Sequence, residues 1–210
     1  LCSAGIYVFE TDTLVERLVD DTRGPRTYDF GRGIVPRMVE ADEDVYARPV
    51  GGDGNGTAYW RDIGTLRAFW KAHMEFCGPD LPFDPADRDW PIQGHSPALP
   101  PARFTRAPDG SECAVESAVV SPGATVEGAT IRRSLIGPGV HVGPGASVED
   151  SVLIRGVDVG EGATISKAVV DADNSIPEGT DIGLDSNADG RRFIVGAGDV
   201  VAVPQRMPFS

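Results

Sequence analysis

The sequence is poor in cysteine, in long apolar runs and in positive charge. Its 210 residues hold three cysteines, Cys2, Cys77 and Cys113, without C-x-x-C spacing, which argues against a disulfide framework or a zinc knuckle and favours a reducing cytoplasm. No apolar run approaches the roughly 18 residues of a membrane span, and no signal-peptide pattern occurs. Lys and Arg number 19 against 32 Asp and Glu, a net charge of −13. We therefore expect no nucleic-acid partner, although a nucleotide substrate needs only a local cationic cluster or a metal ion.

Glycine and proline are abundant instead. The chain holds 26 Gly and 17 Pro, about a fifth of all residues, where roughly 12% is usual. Such a content requires many turns, so it disfavours a helical bundle and favours turn-dense β structure.

The first segment, residues 1–78, contains two patterns that predict strands. Apolar residues place one strand at 5–9, expected to be buried, and another at 45–50. Because the chain opens at Leu1 without Met and a core strand follows almost at once, we expect a fragment of a longer protein. A processed terminus or an edge strand is the alternative.

Three helices are predicted in the same segment. The first begins at a capping box formed by Thr13 and Glu16, the second lies at about 34–39, and the third runs from 65 to 77. His73 lies on the apolar face of the third helix, so we expect a satisfied core or boundary histidine rather than a ligand.

The second segment, residues 79–112, is rich in proline. Each proline removes a hydrogen-bond donor and fixes φ, which excludes a regular helix or a central strand. Large apolar side chains such as Phe83, Trp90 and Phe104 lie between the prolines, and a solvated linker would not carry them. We expect an ordered connector that lies across the surfaces of both neighbouring segments.

The third segment, residues 113–210, carries a repeat. Aliphatic residues recur every five or six positions, and the same phase returns after 17, which neither an α-helix nor a hairpin sheet produces. A triangular coil of three short strands does produce it, with one aliphatic side chain per strand pointing inwards and turns at the corners. The predicted interior positions are Val115, Val120, Val126, Ile131, Ile136, Val142, Val148, Leu153, Val159, Ile165, Val170, Ile176 and Ile182.

This repeat resembles that of the hexapeptide-repeat proteins, which implies a left-handed parallel β-helix. Some hexapeptide proteins are zinc enzymes, but a zinc site of that kind needs three converging imidazoles, and His141 is the single histidine of this segment. His141 alternates with an inward position, so we expect it to face outwards and not to act as the base of an acyltransferase. Scaffolding is the favoured role of the coil.

Charged residues near the end of the chain allow two interpretations. The acidic residues Asp171, Asp173 and those between 185 and 189 are expected in turns. Arg192 and Arg206 form a basic patch, with Arg191, in a chain short of cations. The patch is either a solvated end that offsets nearby acids or an anion site for a phosphorylated effector.

Several strings, in order, resemble one family. They are S-A-G-I-Y-V-F from Ser3, D-F-G-R-G-I-V-P from Asp29, Y-W-R-D-I-G-T-L from Tyr59, D-W-P-I from Asp89 and L-P-P-A-R-F from Leu99. Together they are similar to the bacterial glucose-1-phosphate adenylyltransferases, in which an α/β, Rossmann-like nucleotidyltransferase domain precedes a left-handed β-helix. The resemblance covers essentially the whole chain.

The resemblance implies that ATP and glucose 1-phosphate give ADP-glucose and pyrophosphate in glycogen synthesis, with Mg²⁺ as cofactor. On the matching positions, it implies that Asp62 binds the metal, that Ser3 contacts glucose 1-phosphate and that Trp60 orients Asp62 by packing. A helix N-cap is an alternative role for Asp62, a strand-start serine for Ser3, and a purely core role for Trp60. The resemblance also implies a cytoplasmic homotetramer with a phosphorylated allosteric effector, for which Arg192 or Arg206 is the candidate contact.

Several features of the family are not found, among them the lysines that accompany its phosphate loop and its other metal-binding Asp. The glycine-rich phosphate loop, G-G-G-x-G-x-R-L-x-P-L-T, does not occur in these residues. We therefore expect the C-terminal part of such an enzyme, inactive alone. The alternatives are another sugar-phosphate nucleotidyltransferase, an inactive regulatory subunit, and a β-helix assembly or acyltransferase module unrelated to nucleotides.

Overall fold

The computed structural model describes residues 3–23, 28–50, 59–92, 94 and 98–209. Leu1, Cys2 and a few positions of the proline-rich connector (93 and 95–97) lie outside these residues. The chain divides into two compact units, Leu1–Trp60 and Arg61–Ser210. The helices are α1 (Thr11–Arg23), a π-helical turn (Phe30–Ile34) that continues into α2 (Val35–Glu40), α3 (Leu66–Met74) and α4 (Ser186–Asp189). None of the described helices is both long enough and apolar enough to cross a membrane.

Helix α1 begins two residues earlier than its predicted capping box. The N–H of Leu14 already donates to the carbonyl oxygen of Glu10, with N and O 2.9 Å apart. Thr13 therefore lies inside the first turn, and the prediction that it caps the helix is wrong.

Helix α2 confirms the second predicted helix. Asp29 precedes the π-helical turn and accepts a hydrogen bond from the N–H of Arg32 at 2.9 Å, which stabilises the start of the turn. Ile34 and Met38 are buried, as expected for residues one helical turn apart on an apolar face.

Neither of the two strands predicted for the first unit is formed. Residues 5–9 and 45–50 lie in no strand, and Ile6 and Val8 are 75% and 97% exposed. A strand needs a neighbour for its N–H and C=O groups, and every strand among the described residues lies after residue 102. The aromatic rings of 5–9 pack instead on the π-helical turn, with the ring centroids of Tyr7 and Phe30 5.4 Å apart.

The second unit contains a three-sided parallel β-helix, as the repeat predicts. Strands 17 residues apart pair in register, for example Thr130 with Ser147 and Ser147 with Thr164. The first sheet consists of β1 (Arg103–Thr105), β4 (Thr125–Glu127), β7 (His141–Val142), β10 (Asp158–Val159) and β13 (Ser175–Ile176). The second consists of β2 (Ala114–Glu116), β5 (Thr130–Arg132), β8 (Ser147–Glu149), β11 (Thr164–Ser166) and β14 (Asp181–Ile182). The third consists of β3 (Val119–Val120), β6 (Leu135–Ile136), β9 (Val152–Leu153), β12 (Ala168–Val170), β16 (Val201–Val203) and β15 (Ile194–Val195).

The interior of the β-helix is aliphatic. The predicted inward positions from Val126 to Ile182 are all 3% exposed or less, and they form one continuous cluster. Val115 departs from the prediction and is 43% exposed. It lies in the first rung, which has a neighbouring rung on one side only, so the stacking that buries the other positions is incomplete there. The left-handed winding stays an expectation from the resemblance.

The β-helix extends beyond the predicted repeat at both ends. Strand β1 comes from the proline-rich connector and pairs with β4 at the sheet edge, where a segment next to prolines is tolerated. At the other end β15 runs antiparallel to β16 and closes the third sheet.

Helix α3 lies on the outer surface of the third sheet. Val152 and Val169 point away from the β-helix interior, and both are nonetheless buried, because Leu66, Phe69 and other apolar residues of α3 pack against them. The indole N–H of Trp70 donates to the carbonyl oxygen of Asp150, with N and O 2.6 Å apart.

Candidate functional site

The candidate metal ligand Asp62 lies just before α3. Its side chain is exposed, and its Oδ1 accepts a hydrogen bond from the N–H of Gly64 at 2.9 Å. The N-cap of α3 is Thr65, whose hydroxyl oxygen accepts from the N–H of Ala68 at 3.2 Å. The alternative role of Asp62 as the N-cap is therefore wrong, because the threonine three residues later fills that position.

Asp62 is held by its own turn through one carboxylate oxygen. Among the described residues no group of three or more His, Cys, Asp or Glu side chains could hold a metal ion. Mg²⁺ in nucleotide enzymes is usually bound by one or two carboxylates, several waters and the substrate phosphates. A single exposed carboxylate is therefore a suitable ligand for Mg²⁺, although not a complete metal site.

Arg61 precedes Asp62 and forms an ion pair with Glu75. Its Nε lies 3.0 Å from Oε1 and 3.1 Å from Oε2 of the Glu75 carboxylate. Glu75 directly follows the last residue of α3. The segment that carries Asp62 is thus connected to both ends of the helix, at Thr65 and at Glu75.

Ser3 and Trp60 belong to the first unit. The hydroxyl of Ser3 donates to the hydroxyl of Tyr7 at 2.8 Å and accepts from the N–H of Gly5 at 3.1 Å. The indole N–H of Trp60 donates to the carbonyl oxygen of Ala4 at 3.1 Å. Trp60 therefore links the segment around Ser3 to the end of the unit, and its role in orienting Asp62 stays a prediction.

The basic candidates Arg192 and Arg206 lie in two segments near the end of the chain. Both side chains are exposed, and among the described residues neither guanidinium forms a hydrogen bond or an ion pair. The guanidinium carbon of Arg192 lies 4.7 Å from the ring centroid of Phe193. Phe193 in turn contacts Phe209, with centroids 5.9 Å apart, so the structure brings the two segments together.

The acidic residues near Arg192 have structural roles, but the prediction that they lie in turns is wrong for residues 186–189, which form helix α4. Asp185 caps α4 by accepting from the N–H groups of Asn187 and Ala188. Asp189 is 3% exposed, and its Oδ2 accepts from the N–H of Gly183 at 2.9 Å. Burial raises the pKa of Asp189 above its ordinary value, although the Gly183 hydrogen bond and the charge of Arg192 oppose this rise.

The two histidines considered in the sequence have local partners. The Nδ1 of His73 lies 2.8 Å from the carbonyl oxygen of Phe69 in its own helix, which confirms a satisfied boundary histidine. His141 faces outwards from the first sheet, with its Nδ1 2.7 Å from Oδ1 of Asp158 and its Nε2 4.0 Å from Oε1 of Glu127. It lies between two carboxylates on the outer surface of the first sheet.

A cavity of about 270 Å³ lies between α1 and α2. Arg17 and Glu43 line it with Arg37 and Asp20. Arg17 is paired with Asp20 at 3.1 Å and with Glu43 at 3.6 Å, and Arg37 with the buried carboxylate of Asp21. Because these cations are paired within the protein, the cavity does not have the character of an anion site.

The contacts around α3 were not predicted from the sequence. Arg61 and Glu75 are 14 residues apart, and Trp70 and Asp150 are 80 apart, so no local spacing rule connects them. One available signal was the apolar side chains of Val152 and Val169 next to inward positions, since alternation places them on the outer face. Outward apolar residues on a sheet indicate that another element covers them.

Two family models match the chain. Residues 1–77 match the nucleotidyl transferase model, and residues 100–203 match the model of the GlmU-like C-terminal hexapeptide region. Helix α3 thus falls within the transferase match, although it packs on the β-helix.

Curated relatives match almost the entire chain. The glucose-1-phosphate adenylyltransferase of Hydrogenovibrio crunogenus is 38% identical over 212 residues, which are 99% of this chain and 50% of that protein. Glucose-1-phosphate adenylyltransferase 1 of Alkalilimnicola ehrlichii is 44% identical over 209 residues, which are 99% of this chain and 49% of that protein. The chain therefore spans about half the length of the curated relatives it matches.

Proposed function

Because the chain joins a nucleotidyl transferase segment to a hexapeptide β-helix and is related along 99% of its length to glucose-1-phosphate adenylyltransferases, we propose that it is part of an enzyme with that activity. The reaction converts ATP and glucose 1-phosphate into ADP-glucose and pyrophosphate, in the synthesis of glycogen. The observation that carries the proposal is the continuity of this relationship through both segments of one chain.

The chemistry requires positioning more than covalent participation. A phosphate oxygen of glucose 1-phosphate attacks the α-phosphorus of ATP, a new P–O bond forms, and the bond to the departing pyrophosphate breaks. Negative charge is concentrated on the phosphoryl oxygens during this step, so aligned substrates and nearby cations lower the barrier. Bound Mg²⁺ would supply part of that positive charge.

Two candidate residues have distinct tasks in this proposal. Asp62 would hold the Mg²⁺, since its exposed carboxylate keeps one oxygen outside the Gly64 hydrogen bond. Ser3 would offer its hydroxyl to a sugar or phosphate oxygen of glucose 1-phosphate, and the N–H of Gly5 holds this hydroxyl in place.

We expect the 210 residues to be inactive alone. The glycine-rich phosphate loop of the family is not found among them, and backbone N–H groups of such loops bind nucleotide phosphates. The enzyme would be a cytoplasmic homotetramer, with Arg192 and Arg206 as contacts for a phosphorylated effector. The ring contact between Phe193 and Phe209, which joins the two arginine-bearing segments, supports the effector proposal.

The test is Asp62→Asn in the full-length protein. Asparagine keeps a carbonyl oxygen for the N–H of Gly64 but loses the charge that binds Mg²⁺, so we expect a loss of Mg²⁺-dependent pyrophosphate release without a change in oligomer size. Asp87→Asn is a matched control. Asp87 is also exposed, and its Oδ1 accepts a hydrogen bond from the N–H of Asp89, two residues later, with N and O 2.8 Å apart. Unchanged turnover in Asp62→Asn would remove Asp62 from the mechanism.

The same assay separates the alternative substrates. Wild-type protein is tested with ATP, UTP, GTP, CTP and dTTP, each with glucose 1-phosphate and with other sugar 1-phosphates. Preference for ATP and glucose 1-phosphate supports the proposal. Preference for another pair identifies a different nucleotidyltransferase, and the absence of turnover with every pair, from a full-length protein, favours a regulatory subunit.

A further inference from the structure

The segment before α3 runs back along the helix. Helix α3 covers nine residues, about 13 Å at 1.5 Å per residue, with Thr65 before its first turn and Glu75 after its last. Because Arg61 reaches Glu75 with its side chain, residues 61–65 must return towards the C-terminal end of α3 rather than continue away from it. The direction of this segment is therefore set by a contact made beyond the helix end.

The Arg61–Glu75 ion pair joins the segment before α3 to the residue after it. The single N–H of Nε is shared between the two oxygens of one carboxylate, with N and O 3.0 and 3.1 Å apart, so the contact holds the Arg61 guanidinium beside the Glu75 carboxylate. The Arg61 side chain is 47% exposed and that of Glu75 is 22% exposed. Ion pairs with this much solvent contact contribute little to global stability, so a stability requirement does not account for the pair.

Helix α3 itself is fixed on the β-helix. Trp70 donates to the carbonyl oxygen of Asp150, and Val152 and Val169 are buried under the apolar side chains of the helix. Packing on the β-helix therefore fixes the position of Glu75. The ion pair with Glu75 in turn restrains Arg61, and Arg61 is the backbone neighbour of Asp62.

We propose that Glu75 and Arg61 are positioning residues for Asp62. Glu75 holds the Arg61 guanidinium, Arg61 holds the chain that runs back along α3, and the turn closed by the N–H of Gly64 then aims the Asp62 carboxylate. This inference rests on the proposed function of Asp62 as a ligand for Mg²⁺. Residues that orient a ligand affect metal affinity without touching the metal.

The test uses Arg61→Ala, Glu75→Ala and the double variant in the full-length protein. Two quantities are measured: the Mg²⁺ concentration that gives half-maximal turnover, and the affinity for Mn²⁺ alone, followed by the EPR signal of free Mn²⁺ without substrates. We expect each single variant to weaken both by about tenfold, the lower end of the effect of partners that orient metal ligands. The double variant should lose less affinity than the two single losses combined, because the contact between Arg61 and Glu75 is already broken in each single variant.

A matched control and a third measurement separate positioning from folding. Glu112→Ala removes a similar exposed ion pair, with Arg106, far along the sequence from Asp62, and should leave both metal affinities unchanged. The melting temperature and the KM for glucose 1-phosphate should stay at wild-type values in Glu75→Ala. Unchanged metal affinity in Glu75→Ala, or an equal loss in Glu112→Ala, would overturn the proposal.

The outcomes also separate this inference from the proposed function. If wild-type protein shows no adenylyltransferase turnover but binds Mn²⁺ in a manner abolished by Asp62→Asn and weakened by Glu75→Ala, the positioning role stands and the proposed reaction fails. If wild-type turnover is present and Glu75→Ala is indistinguishable from it in both metal measurements, the reaction stands and the positioning role fails.

Discussion

Replacing Ile165 with alanine should destabilise the β-helix strongly. Ile165 is fully buried and lies in β11 between Val148 of β8 and Ile182 of β14, its register partners on either side. Shortening a buried isoleucine to alanine costs about 2–5 kcal/mol, through lost burial and the cavity that remains. Because paired strands above and below hold the backbone in register, the site cannot close by collapse, which favours the upper part of this range.

The measurement is urea unfolding followed by far-ultraviolet circular dichroism. With a slope of about 1–3 kcal/mol per molar urea, the unfolding midpoint of Ile165→Ala should fall by about 1 M or more. Thr164→Ala is the control: Thr164 lies in the same strand between the same two neighbouring strands, with Ser147 and Asp181 as its register partners. Its side chain is only partly buried, on the outer face, so the midpoint of this variant should change by a few tenths of a molar. Equal midpoints for the two variants would refute an interior formed by one aliphatic side chain per strand.

Three further predictions concern residues that stabilise the β-helix or the segments packed on it. Trp70→Phe keeps most of the apolar contact but leaves the carbonyl oxygen of Asp150 without its donor, so the free energy of unfolding should fall by about 1–3 kcal/mol, measured by urea titration; no change would remove this hydrogen bond as an anchor. Gly183→Ala should lower the unfolding midpoint sharply, because the backbone of Gly183 has φ of +82° and the added Cβ would lie 1.6 Å from the carbonyl oxygen of Ser166; a midpoint equal to wild type would contradict this. Burial raises the pKa of Asp189, so the protonated carboxyl stabilises the folded state below the unfolded pKa of about 3.9, and this stabilisation is lost as pH rises through the folded pKa. The free energy of unfolding of Asp189→Asn should therefore increase relative to that of wild type between pH 3 and pH 7. A difference between the two that does not depend on pH would argue against the raised pKa.

The β-helix was predictable because its signal is local and repeated. A return of phase after 17 residues requires three short strands per turn, and the register pairs observed, such as Ile136 with Leu153, are those that the spacing predicts. The error at Val115 has the same origin: a repeat pattern identifies inward positions but does not identify the end of the stack, where an inward side chain has a neighbouring rung on one side only.

The first unit was less predictable because strands depend on partners that are distant in sequence. The apolar residues at 5–9 satisfy a strand pattern, yet Val8 is 97% exposed because no strand of the described residues is available to pair with it. Helix α2 was predicted correctly because its apolar spacing is local. The candidate site shows the same division: the Y-W-R-D-I-G-T string identifies Asp62, whereas the contact between Arg61 and Glu75 depends on how the chain folds back.

Helix α3 has a consequence for where this protein can be divided. By sequence it lies inside the transferase match, which ends at residue 77, but by packing it belongs to the unit that begins at Arg61. A truncation after residue 77 would remove α3 and expose the apolar outer surface of the β-helix, formed by Val152, Val169 and Val200, to solvent. Helix α3 and the apolar surface that it covers therefore have to stay in the same module. A chimaera made by exchanging modules between related proteins should place its junction directly before Arg61.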